Sequence, residues 1–457
     1  MTTESIPAGG ERLTLDDLRS LVPLGTIHTV MTAIPDMQGR LKGKRMGALP
    51  LLERLDAGDG KHVADACSYI LATNADMDPL SGFALTDWND GFHDMQVAAD
   101  WDTLRALPYM PGVALVHCDA LDADGAFIEV APRQMLRRQV ERLAELGVEA
   151  RIGWESEFVL YNEDGTPVVG HNADYGLDHR PRLADFFGYL EHALHDAGVG
   201  PEAVKTESGG GQAEITFPYG DVMKACDDYT VYKHCVKYLA QRHGMRASFM
   251  ASPVTGVFSG LHLHLHLHLS LWRDGRPLFA TGSRLDLPPE VMRQSIAGLI
   301  AVMPHLAPLF AQTTNDYKRF VSAHDFAPQY MNWGTGNRGC AVRVTGDGVG
   351  THLENRLAGG SANPYLVAAA SLAAIAHGLD EKLTAPSPCL GDAYADKTSR
   401  PLPADLSEAL DDFRGSQFAH ALLSTDVVVH YARAAQAEID EQHREVTDVE
   451  RRRFALA

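Results

Sequence analysis

The sequence predicts an α+β protein of two domains, a small β-rich one over residues 1–113 and a larger one over 114–457. Three observations lead there. At 457 residues the chain can bury a large core and divide into two units, one of them big. Its first part carries strand patterns and turn glycines. Beyond them, a helix pattern opening on Pro132 and closing on Gly147 runs straight into a long strand pattern, Ala150 to Tyr161.

Taken in order, residues 1–20 lead into a short helix around Leu13 to Leu21. Ile27 to Ala33 alternates and is β-branched, which marks a strand, and Asp36 to Arg45 reads as a turn and hairpin with glycines at its bends. Val113 to Cys118 is a further strand before the turn Asp122-Ala123-Asp124-Gly125. In the Pro132 helix, Leu136, Val140 and Leu143 fall at i, i+4 and i+7, one apolar face. A second helix is expected from about Asp227 to His243. It is followed by a strand at Ala247 to Ala251, the Leu-His run from Leu261 to Leu269, and a helix near Pro288 to Met303. The apolar run Leu366 to Leu379 is too short to span a bilayer and follows Asn363-Pro364-Tyr365, so it reads as a buried helix. Asp380 to Leu402, rich in proline and polar residues, is a surface loop, and Asp426 to Arg453 is a charged helix.

Composition narrows the function. Hydrophobic residues at 45% and charged residues at 22% are ordinary for a soluble globular protein. A formal charge of −20 argues against nucleic acid or an anionic membrane as partner. The six cysteines are scattered with no C-x-x-C pair, and Met1 to Asp17 has no apolar stretch of a secretory signal. Both point to reduced thiols and a cytoplasmic location.

The chemistry centres on Glu155-Ser156-Glu157-Phe158. Glutamates at i and i+2 of a strand share one face. Two such carboxylates repel by about 4 kcal/mol at an effective dielectric near 20 unless a proton or cation intervenes. Further carboxylates follow at Glu207, Glu214 and Glu354. Oxygen donors with one imidazole suit Mg²⁺ or Mn²⁺. The Leu261 to Leu269 run alternates leucine and histidine, so a strand puts His262, His264, His266 and His268 on one face, one of them a plausible ligand. Arg319, Arg338, Arg343 and Arg356 gather near Glu354 in sequence, and arginine forks match phosphate and carboxylate.

These pieces, together with Asp36-Met37-Gln38-Gly39-Arg40, Gly211-Gln212-Ala213-Glu214, Ser270-Leu271 and Ala362-Asn363-Pro364-Tyr365, resemble the glutamine synthetase superfamily in order along almost the whole chain. The resemblance implies an N-terminal β-grasp domain and a catalytic domain built on a curved antiparallel sheet flanked by helices. It implies ATP and two or three Mg²⁺ (or Mn²⁺), and a homo-oligomer, a dodecamer of two hexameric rings with active sites between subunits. Carried over by residue, one metal site is Glu157, Glu207 and Glu214; the other is Glu155, Glu354 and one histidine. Arg338 and Arg343 would be catalytic, with Asp325 and, from a neighbouring subunit, Asp65. Arg319, Arg338, Arg356, Gly260 and Phe326 would meet substrate, and Ser270, Arg343 and His264 the nucleotide.

Three departures bear on substrate. Phe326 stands directly before Ala327-Pro328, where the family places a flap glutamate, with Asp325 one residue earlier. The loop Val257-Phe258-Ser259-Gly260 lacks the family's asparagine. The histidine run is longer than the family's His-x-His-x-Ser. Anchoring on Ser259-Gly260 makes His262 the ligand, and anchoring on Ser270-Leu271 makes it His266; the upstream fit favours His262. The expected activity is an ATP-dependent ligase joining glutamate to an organic amine (a polyamine, ethanolamine or a monoamine). Rivals are an ordinary glutamine synthetase using ammonium and an inactive structural or regulatory relative, against which the intact carboxylate and arginine set argues.

Overall fold

The computed structural model describes residues 10–58, 60–254, 262–283, 287–321 and 326–456. Its first sheet is built from β1 (Thr29–Pro35), β2 (Leu41–Gly47), β3 (His62–Cys67), β4 (Asp94–Ala99), β5 (Arg105–Ala106) and β6 (Val113–Leu121). The strand order is β2-β1-β6-β4-β3, with β5 on β6. Only β1 and β6 pair in parallel, the mixed pattern of a β-grasp fold. The hairpin expected at Asp36 to Arg45 is β1 and β2, turning at Gly39 with φ 73°. β6 lies wholly in this sheet and is buried through Ala120, so the sheet runs past residue 113 to Leu121.

The second sheet holds the site. It comprises β7 (Glu149–Asn162), β8 (Ala203–Thr206), β9 (Gln212–Thr216), β10 (Gly220–Asp221), β11 (Met245–Ser248), β12 (Leu265–Arg273), β13 (Arg276–Pro277), β14 (Trp333–Thr335), β15 (Val342–Thr345) and β16 (His352–Asn355). The order is β14-β15-β16-β12-β7-β9-β8, antiparallel except between β14 and β15. β7 is its axis. It pairs with β12 and β11 along one edge and with β9 and β10 along the other. Leu263, Leu265, Leu267 and Leu269 of the Leu-His run are buried on the apolar face, which leaves the histidines to the other.

The Leu366 to Leu379 run is the interior of the helix Pro364–Asp380, capped by the Asn363 side chain. The helix Glu290–Val302 crosses it where Gly298 faces Gly378. A Cβ on Gly298 would lie 2.1 Å from the Ala374 carbonyl oxygen, so only glycine permits this approach. The Asp36-Met37-Gln38-Gly39-Arg40 motif joins the two domains: Asn363 Nδ2 donates to the carbonyls of Asp36 and Met37 at 3.1 and 3.0 Å. Two helices differ from expectation at their ends. The one expected from Asp227 begins at Val222, because the Asp221 side chain caps it through Lys224 N. The C-terminal one divides into Thr425–Arg444 and Asp448–Phe454, the second started by a Thr447/Glu450 capping box.

Two buried histidines make stability depend on pH. His117 bonds Thr230 Oγ1 at 2.8 Å, and His430 Nε2 donates to the Leu71 carbonyl at 2.8 Å. Burial lowers both to about 4. The unfolded chain protonates them near 6.5, so it binds more protons between those values, and stability falls as pH drops through that window. Each should cost about 2 kcal/mol between pH 7 and pH 5. Denaturant unfolding at the two pH values checks this. His430→Gln should lose less stability than the parent over the same interval, and equal losses would refute the assignment.

Candidate active site

The fold sets five carboxylates around β7. Glu157 lies opposite Glu214 of β9, and Glu155 lies opposite His266 of β12. Glu354 of β16 pairs with His268 across the next ladder. Glu155 and Glu157 share a face but stand about 6.7 Å apart along β7, so the carboxylates fall into two groups. Glu157, Glu207 and Glu214 offer ligand atoms all within 4.8 Å of one another, and so do Glu155, Glu354 and His268. His266 Nδ1 lies 3.1 Å from Glu155 and 3.4 Å from Glu354.

The electrostatics of the first group call for a cation. Glu157 is 6% exposed and accepts from Gln212 Nε2 at 3.0 Å and from the His264 backbone N–H at 2.9 Å. Burial, then Glu207, pushes its carboxyl well above the usual range. Glu214 is pushed the same way, by burial and then by Glu155. Lys205 bonds Glu207 and stands 3.4 Å from Glu214, the cation nearest this group among the described residues. In the second group, burial raises Glu155, but hydrogen bonds from His266 and His268 outweigh it and hold its carboxyl low. Glu354 is bonded by Arg343 at 2.8 Å and by Arg356. His266 Nε2 is buried without a hydrogen-bond partner. The donor set and that orphaned nitrogen fit two divalent cations with mainly oxygen ligands.

The strand register differs from the upstream anchoring. Four residues of β-strand span about 13 Å, so His262 cannot share His266's place beside Glu155. His262 instead bonds Ser252 Oγ at 3.0 Å and lines the cavity of Glu157 and Glu207. Pairing with β7, rather than the loop before the strand, sets the position, and it places His266 and His268 against the second carboxylate group. His264, expected beside the nucleotide, is buried against Arg319 Nη1 at 3.4 Å and lines the same cavity as His262, whereas His268 lines a separate cavity with Ser270.

Two cavities meet at this strand. The acidic one, about 370 Å³, carries Arg338, Arg356 and Phe326 on its walls besides the carboxylates. Phe326 is 58% exposed at φ 57°, and its carbonyl accepts from Arg356 Nη2 at 3.2 Å. Tyr175, also at a positive φ of 53°, lies over Lys205 with its ring centroid 4.5 Å from Nζ. The second cavity, about 250 Å³, has an aromatic wall: Arg151 sits 4.0 Å over the Trp272 ring, and Tyr219 stacks on the same ring at 6.1 Å. Such a wall suits a flat heteroaromatic ring whose charged end reaches the carboxylates past His268.

Arg319 does not reach the acidic cavity. It is fully buried, donating to the Leu357 carbonyl at 2.6 Å, because Gly359 lets it pack beneath. Arg343 is turned onto Glu354, and Ser270 Oγ accepts from Trp272 Nε1 at 2.8 Å. Asp65 lies on β3 in the other sheet, half exposed and bonded to His62 at 2.9 Å. Gly260 and Asp325 lie outside the described residues. Sequence reading missed Lys205, Tyr175, Arg151 and Trp272. Lys205 had one signal, its i+2 spacing from Glu207 on the strand edge; the others carry no pattern of their own.

The sequence model of the glutamine synthetase catalytic domain matches residues 129–454. Gamma-glutamylethanolamide synthetase GlnA4 of Streptomyces coelicolor is 38% identical over 454 residues, covering 96% of this chain and 95% of that protein. Glutamate–isopropylamine ligase of a Pseudomonas species is 32% identical over 454 residues, covering 96% and 97%. Among solved structures, a GmaS/ADP complex superposes with TM-score 0.82 at 26% identity, covering 96% of this chain and all of that one.

Proposed function

The chain belongs to the glutamine synthetase family, and from that premise we propose that it is an ATP-dependent carbon–nitrogen ligase joining the γ-carboxyl of glutamate to an organic amine. The observation that carries this reading is the exposed phenyl ring of Phe326 on the wall of the cavity that holds the metal-type carboxylates. A flap carboxylate there would hold and deprotonate ammonium; a phenyl ring instead offers apolar area to an amine's carbon body. Relatives named for ethanolamine and isopropylamine support the same acceptor class.

The residues divide the work. Glu157, Glu207 and Glu214 would hold one divalent ion, and Glu155, Glu354 and His266 the other. Bound there, the ions would neutralise the charge of the transferring phosphoryl group. Arg151, Trp272 and Tyr219 would seat the adenine ring, with Ser270 and His268 on the same cavity wall. Arg338 and Arg356 face the acidic cavity, placed to bind the anionic oxygens of glutamate and of the phosphate that leaves. Arg343 holds Glu354 and is placed to turn towards phosphate. ATP gives its γ-phosphoryl group to the γ-carboxylate of glutamate and leaves as ADP; the amine then attacks the carbonyl carbon of that γ-glutamyl phosphate, phosphate departs, and a carboxylate of the cavity takes the amine proton. Asp65, exposed on the small domain, is taken to serve a neighbouring copy in a dodecamer.

Phosphate release from ATP with glutamate and a panel of amines, ammonium included, tests the reading. A short alkylamine or hydroxyalkylamine should give the higher kcat/KM. Burying one methylene beside Phe326 contributes about 0.8 kcal/mol, several-fold in specificity. Phe326→Glu should move the ratio towards ammonium. A parent enzyme that prefers ammonium to every amine would restore the ordinary glutamine synthetase reading.

A further inference from the structure

The ladder between β12 and β16 sets two histidines side by side. His268 lies opposite Glu354, and His352 is two residues earlier on the same face, so the rings meet diagonally with centroids 5.1 Å apart. His352 Nε2 is 2.9 Å from His268 Nδ1, and His268 Nε2 is 3.2 Å from Glu155 Oε2. At the far end of this row, His352 Nδ1 lies 2.7 Å from the Gly350 carbonyl oxygen. The turn is built for that contact: Gly346 stands at φ 77°, and a Cβ there would lie 2.1 Å from the Gly350 oxygen and 3.1 Å from His352 Nδ1. A carbonyl only accepts, so His352 Nδ1 carries the hydrogen, and Nε2 of the neutral ring is a lone pair. His268 Nδ1 must then donate to it. The reverse tautomer of His268 would oppose two lone pairs at 2.9 Å.

We propose that His352 is a positioning residue: it fixes the proton of His268 on Nδ1 and so turns the Nε2 lone pair towards Glu155, as a second imidazole donor beside His266 for the ion that Glu155 and Glu354 would hold. This role rests on the metal-dependent ligase reading above. In the free protein a further proton on Nε2 satisfies the contact with Glu155, and it leaves to solvent where an ion is held. A ligating histidine nearly always donates its other ring N–H to a fixed acceptor, which sets both its tautomer and its orientation. His352 supplies that acceptor to His268, and the Gly350 carbonyl in turn fixes His352.

Mn²⁺ titration of the metal-free full chain, with free Mn²⁺ read by electron paramagnetic resonance, tests this role. The binding step lost in Glu155→Gln identifies the ion in question. His352→Leu should weaken that step about tenfold and leave the other unchanged, the size expected when the partner of a metal ligand is removed. His352→Gln should keep most of the affinity, since its side-chain oxygen reaches the place of Nε2 as an acceptor. In the His268→Ala background, His352→Leu should cost nothing further, because it acts through His268. Additive losses, equal losses with leucine and glutamine, unchanged binding in His352→Leu, or weakening of both steps would each overturn the role. So would a titration in which Glu155→Gln removes no step. All of these are read without ATP, glutamate or amine, so they stand or fall apart from the acceptor specificity.

Discussion

Glu157→Gln is expected to lower phosphate release by more than about a hundredfold while leaving the fold intact. The bound comes from outer-shell partners of metal ligands, whose loss alone costs about 10- to 100-fold; a direct ligand should cost more. The change is isosteric, and because the Gln212 and His264 hydrogen bonds both fall on Oε2, an amide oxygen in that place can keep both. It also removes a charge from a buried group already pushed towards protonation by burial and Glu207. The metal-free variant should therefore melt no lower than the parent. Mn²⁺ should raise the parent's melting temperature and raise the variant's much less, because an ion that binds only the folded state stabilises it by mass action. Glu214→Gln should behave alike, since Glu214 belongs to the same group. Undiminished turnover, or an equal Mn²⁺ shift in parent and variant, would overturn the two-metal reading.

The second large effect concerns the histidine strand. Of the four single changes to alanine, His266→Ala should weaken Mn²⁺ binding most, by about 10²-fold or more. His266 is the imidazole that touches both Glu155 and Glu354, and its other nitrogen has no partner. His268→Ala should come next and should also raise the KM for ATP, because His268 bonds Glu155 while lining the aromatic-walled cavity. Its Nδ1 is held by His352 Nε2 at 2.9 Å, which fixes the ring's orientation. His262→Ala and His264→Ala should change Mn²⁺ binding least. The same titration decides the register: a loss largest at His262 would restore the upstream anchoring, and equal mild losses at all four would mean that none is a ligand.

Much of the site was legible because metal and phosphate chemistry demands charges of one kind at fixed spacing. Glu155 and Glu157, two apart in a strand, had to share a face, and the structure places both against further carboxylates. The buried helix after Asn363-Pro364-Tyr365 was equally plain, since a cap, a proline at the first turn and an unbroken apolar run admit few other structures. The acceptor preference also rests on one visible change, Phe326 before Ala327-Pro328.

What the sequence could not decide has a common cause. A strict two-residue repeat looks the same after a shift of two, so four alternating histidines carry no register of their own. Hydrogen bonding to β7 chose it, setting His266 opposite Glu155. Arg319 sits in an arginine-rich stretch, yet packing under Gly359 buries it away from the acidic cavity. Lys205, Tyr175, Arg151 and Trp272 come from separate strands and a loop, and only the fold brings Lys205 to Tyr175 and Arg151 to Trp272. Local pattern determined which residues could do the chemistry and which face of an element they would take. Contacts between residues distant in the chain, whose energies no local pattern encodes, decided which of them meet.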